Sequence, residues 1–195
     1  MVREAKIERK TSETNVSIKI ELEGEGKGNI STGIGFLDHM LTLFCMHSMT
    51  NLDVTAQGDL QVDGHHTIED IGIVLGQAIL KALGDKKSIK RYGHAFVPMD
   101  EALAFVCIDI SGRPVLKLDA LFSSQTIGQF ETQMVEEFFR AVAVNAGMTM
   151  HIKVECGAND HHKIEAIFKA FARAFKEAVT IDESIKGVMS TKGTL

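Results

Sequence analysis

Two short stretches of this chain share one chemical pattern: His65-His66-Thr67-Ile68-Glu69-Asp70 and His161-His162-Lys163-Ile164-Glu165-Ala166. Each sets two adjacent imidazoles a few residues ahead of a carboxylate, and each opens a long amphipathic run. On a helix, His65 and Glu69 stand one turn apart on one face, and so do His161 and Glu165. His66 and His162 point elsewhere, so each motif can offer ligands in two directions. One copy alone is equally well a solvated, polar helix start. Two copies in equivalent settings predict a pair of metal sites. Imidazole nitrogen and carboxylate oxygen suit Mn, Fe, Co, Ni or Zn, and the donor types do not choose among them. The absence of cysteine near the HH pairs argues against a structural zinc site, which prefers thiolates and a closed shell.

The elements that must position these motifs recur with them. Residues 2–23 alternate in two phases, with Val16, Ile18, Ile20 and Leu22 on one strand face. Gly24, Gly26 and Gly28 then predict a hairpin-like reversal. Phe36 to about Met46 has helical spacing, a short strand over 52–56 follows, and the loop 58–64 delivers the first HH pair. The apolar positions Ile71, Leu75, Ile79 and Leu83 predict a helix from Ile68 that stops near Gly84. Gly72 and Gly76, a turn apart, suggest close packing of that helix against a sheet. Strands are expected again at 93–99, 102–110 and 114–121, with Ser111-Gly112-Arg113-Pro114 joining the last two as a hairpin. A helix over 131–146, a strand over 148–156 and a helix to about Val179 complete the chain. Its aromatic stripe of Phe168, Phe171 and Phe175 reads as core.

The halves match element for element. Phe36-Leu37-Asp38-His39-Met40-Leu41 aligns with Met134-Val135-Glu136-Glu137-Phe138-Phe139, so His39 stands where Glu137 stands. Both side chains can bind a metal. An internal duplication explains this economically and predicts an α+β fold: two ββαβα-like halves forming a sheet-and-helix sandwich. Residues 1–195 then form a single domain of two repeats, about 1–85 and 91–182. His39, Glu137 and the two motifs supply eight candidate ligands: His39, His65, His66, Glu69, Glu137, His161, His162 and Glu165. Two adjacent histidines at a helix start do not easily grip one ion together, so each metal is expected to be shared between motifs. Spacing leaves open whether they meet within a chain or across a subunit boundary.

Composition narrows the function classes. A hydrophobic content of 45% with 24% charged residues is ordinary for a soluble globular protein. A net charge of −5 argues against nucleic acid as a bulk partner. The three cysteines, Cys45, Cys107 and Cys156, lie in apolar stretches and fit reduced, buried thiols. No apolar signal core opens the chain, and no run approaches the roughly 18 apolar residues of a membrane span. The expectation is a cytoplasmic protein without a membrane partner. Arg91, Arg113 and the Ser190-Thr191-Lys192-Gly193 segment are each ordinary solvated groups taken alone. Together they could clamp a phosphate. Lys169 lies one turn beyond Glu165 on the same side, and His47 ends the first helix.

Several segments resemble imidazoleglycerol-phosphate dehydratases of histidine biosynthesis: Thr11-Ser12-Glu13-Thr14, the run from Gly33 to Leu41, both HH-x-x-E motifs, the run from Phe168 to Ala174, and Ser190-Thr191-Lys192-Gly193. The resemblance covers essentially the whole chain. It implies the ribosomal protein S5 domain 2-like fold and two Mn2+ ions per active site, held between subunits of a large homo-oligomer, a 24-subunit cubic assembly. One ion would take His39, His66, His161 and Glu165; the other would take His65, Glu69, His162 and Glu137. Many relatives carry histidine where this chain has Glu137, and a carboxylate can still ligate there. Leu43 occupies a position that carries a polar substrate contact in some members, so that contact is absent.

By the same resemblance, the chain would be a metal-dependent hydro-lyase that dehydrates D-erythro-imidazoleglycerol phosphate to imidazole acetol phosphate. The substrate's hydroxyl is a poor leaving group and the neighbouring C–H has no carbonyl to acidify it. Coordination of the ring favours a metal-bound imidazolate that can push the hydroxyl out, after which a base removes the adjacent proton. Glu13 is the acid/base candidate, working with His65, Glu69, His161 and Glu165. His47, Arg91, Arg113, Lys169, Ser190 and Lys192 would bind the small phosphorylated substrate. Two alternatives compete: a two-metal phosphate-ester hydrolase and a non-catalytic, metal-assembled structural protein.

Overall fold

The computed structural model describes residues 2–195. The first half runs β1 (Glu4–Lys10), β2 (Thr14–Glu21), β3 (Ile30–Ser31), α1 (Gly35–Ser48), β4 (Asn51–Gly58) and α2 (His65–Leu83). The second runs β5 (Tyr92–Met99), β6 (Ala102–Asp109), β7 (Val115–Asp119), then two short strands β8 (Thr126–Ile127) and β9 (Phe130–Glu131), then α3 (Met134–Ala146), β10 (Thr149–Cys156) and α4 (Asp160–Val179). Strand order is β1-β2-β4-β3 in one sheet and β5-β6-β10-β7 in the other, so the two halves have one topology. The α+β duplication expected from the sequence is the observed architecture, with a strand in each half beyond the ββαβα pattern: β3, absent from the expected elements, and β7, which falls in the strand expected at 114–121.

That extra strand corrects two expectations. β3 pairs parallel with β4, and β7 pairs parallel with β10. Neither the glycine-rich stretch after β2 nor the turn at 111–114 closes a hairpin; both lead into a strand–helix–strand crossover. Alternation of side chains identifies a strand but not its neighbour, and parallel pairing needs a helical connection of this kind. The glycines serve close approach: a Cβ on Gly28 would lie 1.8 Å from the Leu52 carbonyl oxygen.

β2 and β6 alternate buried and more exposed residues along their whole length, so each sheet has one packed face. The long helix of each half lies on its own sheet, α2 on β1 and β2, α4 on β5 and β6. The shorter helix crosses over: α1 packs against α4, and α3 against α2. The halves therefore share one core. Phe44 of α1 stacks on Phe171 with ring centroids 5.2 Å apart, and Phe138 and Phe139 of α3 meet Phe168 at 5.4 and 5.0 Å. Gly72 and Gly76 face α3 rather than a sheet. Added Cβ atoms there would come within 2.9 Å of the Phe138 carbonyl and 2.8 Å of the Val142 carbonyl.

The connection from β7 to α3 is longer than its counterpart from β3 to α1, and it carries the β8–β9 ribbon. Asp160, at the first position of α4, holds it. Its Oδ2 accepts from the Ser123 and Ser124 backbone N–H groups at 2.8 and 2.6 Å and from the Ser123 hydroxyl at 2.9 Å. Lys163 bridges Asp160 Oδ1 at 2.8 Å and the Leu121 carbonyl at 3.0 Å. Burial opposes ionisation of Asp160. The Lys163 ammonium and these N–H and O–H donors outweigh it and hold the carboxyl well below the usual carboxylate range. The expectation of three buried thiols holds only for Cys45; Cys107 is half-buried and Cys156 is exposed, and all are free.

Candidate functional site

Both HH pairs fall in the first turn of their helices, since α2 begins at His65, three residues before the expected start, and α4 begins at Asp160. Asn159 caps α4, its side-chain oxygen accepting from the backbone N–H of His161 at 2.9 Å and of His162 at 3.4 Å. At the start of α1, Asp38 Oδ1 accepts from the Thr32 N–H at 2.8 Å and the Thr32 hydroxyl at 2.6 Å, fixing the turn that carries His39.

α1 and α4 then bring three ligand types together. His161 Nε2 lies 3.2 Å and His39 Nε2 3.5 Å from Glu165 Oε2, and the three donor atoms stand within 4.8 Å of one another. Among the described residues this is the one cluster of three such groups. An ion bound at roughly 2.1 Å holds adjacent donors about 3 Å apart, so these separations fit a divalent metal. Solvent reaches the imidazoles, at 49% and 43% side-chain exposure, while Glu165 is only 9% exposed. Its other oxygen, Oε1, is engaged by Lys169 Nζ at 2.6 Å, which leaves Oε2 to face the histidines. Burial pushes the Glu165 carboxyl up, but Lys169, His39 and His161 outweigh it and set it below its ordinary value. Phe36 packs edge-on against the His161 ring at 5.0 Å and also touches Phe130 of the ribbon at 5.3 Å.

The second histidine of each pair points away from this trio and is oriented by a carboxylate. His66 Nδ1 lies 3.0 Å from Asp59 Oδ2, and His162 Nδ1 lies 2.7 Å from Glu101 Oε2. Such a partner on Nδ1 turns Nε2 outward as a ligand. Asp59 raises the pKa of His66, and Glu101 raises that of His162. The Glu101 carboxyl falls to about 2, chiefly because it accepts the Asn159 N–H and then because of His162. Glu13 Oε2 stands 3.9 Å from His66 Nδ1. His65 and Glu69 stand one turn apart at the start of α2, with His65 exposed, yet among the described residues no third ligand joins them. Glu137 leans instead toward Arg140 Nε at 3.6 Å.

The expected phosphate contacts fall into two groups. Lys169 lies on α4 one turn beyond Glu165, and His47 lies in the last turn of α1, beyond His39. Burial, then Lys169 and Arg173, push the His47 pKa down. His47, Lys90, Arg173 and Lys176 line one hollow together with Glu177 and Thr180. Arg91 is buried, with Nε and Nη2 on Asp109 at 2.7 and 3.1 Å and Nη1 on the Met189 carbonyl at 2.6 Å. It thereby ties down the tail that carries Ser190 and Lys192. Arg113 is exposed. Among the described residues, no hydrogen bond or ion pair links Arg91, Arg113, Ser190 or Lys192 to the trio.

Sequence reasoning missed Asp59, Glu101, Asp70 and Arg173. Asp59 precedes its histidine by seven residues in the loop that delivers it, which is a usable signal. Glu101 lies 61 residues from His162, and no spacing rule reaches it.

Residues 32–175 match the family model described as imidazoleglycerol-phosphate dehydratase. A relative of that name from Acetivibrio thermocellus is 59% identical over 195 residues, covering 100% of both chains. One from Clostridium botulinum is 61% identical over 191 residues, covering 98% of this chain and 97% of the relative. The crystal structure of imidazoleglycerol-phosphate dehydratase from Staphylococcus aureus superposes with a TM-score of 0.84 at 49% identity, covering 92% of this chain and 99% of that one. The enzyme from Pyrococcus furiosus also gives 0.84, at 38% identity, covering 97% and 100%. With its doubled motif, its topology and these likenesses, the chain belongs to the imidazoleglycerol-phosphate dehydratase family.

Proposed function

We propose that this chain dehydrates imidazoleglycerol phosphate to imidazole acetol phosphate in histidine biosynthesis, using two divalent ions, Mn2+ by preference, per active site. The observation that carries this reading is the His39–His161–Glu165 trio, beside two further histidines already turned outward by Asp59 and Glu101. His39, His161 and Glu165 would hold one ion with His66. His65, Glu69, His162 and Glu137 would hold the other. Since neither His66 nor His162 belongs to the trio, each ion would be completed by ligands shared between subunits of a large homo-oligomer. A bound divalent ion supplies Lewis acidity that favours the ring anion of an imidazole and so assists departure of a hydroxyl from the attached carbon.

The remaining work falls to side chains of the protein. Lys169 neutralises Glu165 Oε1 and orients the carboxylate. Lys169 and His47, beyond the trio on α4 and α1, suit a phosphate held at a fixed distance from the ring. Arg91, Arg113, Ser190 and Lys192 complete that clamp from the tail side. Glu13, exposed beside His66, moves a proton: it takes the C–H proton of the carbon next to the departing hydroxyl. Loss of water leaves an enol, which becomes the ketone. Among the described residues no helix is long and apolar enough to cross a membrane, and a cytoplasmic location is part of the proposal. Supplying imidazoleglycerol phosphate with and without chelator, then restoring manganese, tests it. Metal-dependent ketone formation without free phosphate is expected; phosphate release would indicate a hydrolase.

A further inference from the structure

The motif in the first half ends in Asp70, and its counterpart in the second ends in Ala166. Asp70 is 6% exposed and does not face the trio. Its Oδ1 accepts from Arg9 Nε at 2.8 Å, and its Oδ2 accepts the Thr14 hydroxyl. Because Thr14 donates to Asp70, the 3.2 Å contact between the Thr11 and Thr14 hydroxyls must run from Thr11 to Thr14. Thr11 Oγ1 in turn accepts the backbone N–H of Glu13 at 3.1 Å and of Thr14 at 2.9 Å. Every hydrogen of the chain Thr11–Thr14–Asp70 is thus directed, and the chain ends on the peptide that carries Glu13.

The second half does without this device. Its β5–β6 turn offers Glu101, whose carboxylate accepts from Ala158 and Asn159 and orients His162. In the first half Asp59 orients His66, and the Glu13 carboxylate accepts no hydrogen bond among the described residues. The turn acid of one half is tied up by hydrogen bonds; that of the other stands 3.9 Å from His66 Nδ1 without one, on a backbone that is pinned. We propose that Asp70 is a positioning residue that aims Glu13 at the reacting carbon, through Thr14 and Thr11. This rests on the proton-transfer role given to Glu13 above.

The test uses the metal-loaded enzyme and four variants: Asp70→Asn, Thr14→Val, Glu13→Gln and the double variant Glu13→Gln/Asp70→Asn. A displacement of about an ångström at a reacting group costs on the order of a hundredfold in rate. Asp70→Asn and Thr14→Val should therefore lower kcat by roughly ten- to a hundredfold while KM moves less than about threefold. Metal content and melting temperature report any damage to neighbouring Glu69 or to the fold. In the Glu13→Gln background, Asp70→Asn should cost nothing further. Full activity in Asp70→Asn overturns the proposal, and so does an equal loss with and without Glu13, or a loss that follows metal content. If Glu13→Gln itself keeps full turnover, the role given to Glu13 fails, and this proposal fails with it.

Discussion

The two halves of this chain share strand order, helix placement and the HH-x-I-E motif, yet they finish their sites differently. In the second half a carboxylate from the β5–β6 turn orients His162, and Asp160 holds the connection leading into the ribbon whose Phe130 packs on Phe36. In the first half a loop carboxylate, Asp59, orients His66, Asp70 pins the β1–β2 turn, and Glu13, 3.9 Å from His66 Nδ1, accepts no hydrogen bond among the described residues. Duplication has preserved the imidazoles and their outward aim. What has diverged is the polar support behind them, and that divergence separates a half that anchors ligands from a half that also presents an acid.

The largest test of this comparison lies at the ligands. Glu165→Gln should lower turnover on the order of a thousandfold or more and reduce bound metal, since it removes the one carboxylate of the trio. Glu137→Gln should do the same if Glu137 serves the other ion as His39 serves the first. A near-normal Glu137→Gln would show that the halves are not equivalent as metal sites. Steady-state kinetics with metal analysis reads both. Next come the orienting carboxylates: Asp59→Asn and Glu101→Gln should each weaken metal affinity by about 10–100-fold. Equal losses uphold the parallel between them, and a one-sided loss breaks it.

A smaller effect is expected on stability. Asp160→Asn leaves Lys163 buried without its partner, costing roughly 3 kcal/mol, or about 10 °C in melting temperature. The Asp160 carboxyl titrates lower in the folded protein than in the unfolded chain. Its contribution is therefore complete above about pH 4 and is lost as pH falls through the folded value. Urea midpoints of parent and variant should converge on acidification. The smallest difference concerns thiols. Burial pushes Cys45 up to about 12, so alkylation at neutral pH should label Cys156 and spare Cys45 until the protein unfolds.

Much of this was legible in the sequence because helix periodicity and motif spacing act locally. His161 and Glu165 had to share a face, and the duplicated motif had to mean duplicated elements. His39 was placed by aligning the halves, and it does meet Glu165. Partners across the fold were not legible. β7 reads as the return strand of a hairpin because alternation is blind to which edge it joins. Gly72 and Gly76 announce a close neighbour without saying whether it is a strand or a helix. The directed hydrogen bonds from Thr11 to Asp70 bring together residues far apart in sequence, and nothing in either segment alone points to the other.

The most direct measurement is turnover against bound metal in the intact protein. Protein stripped with chelator and titrated with Mn2+ should regain ketone formation in step with occupancy, saturating near two ions per active site. Full dehydration by metal-free protein, or activity that returns while the paired histidines stay empty, would contradict the role given to the His39–His161–Glu165 centre.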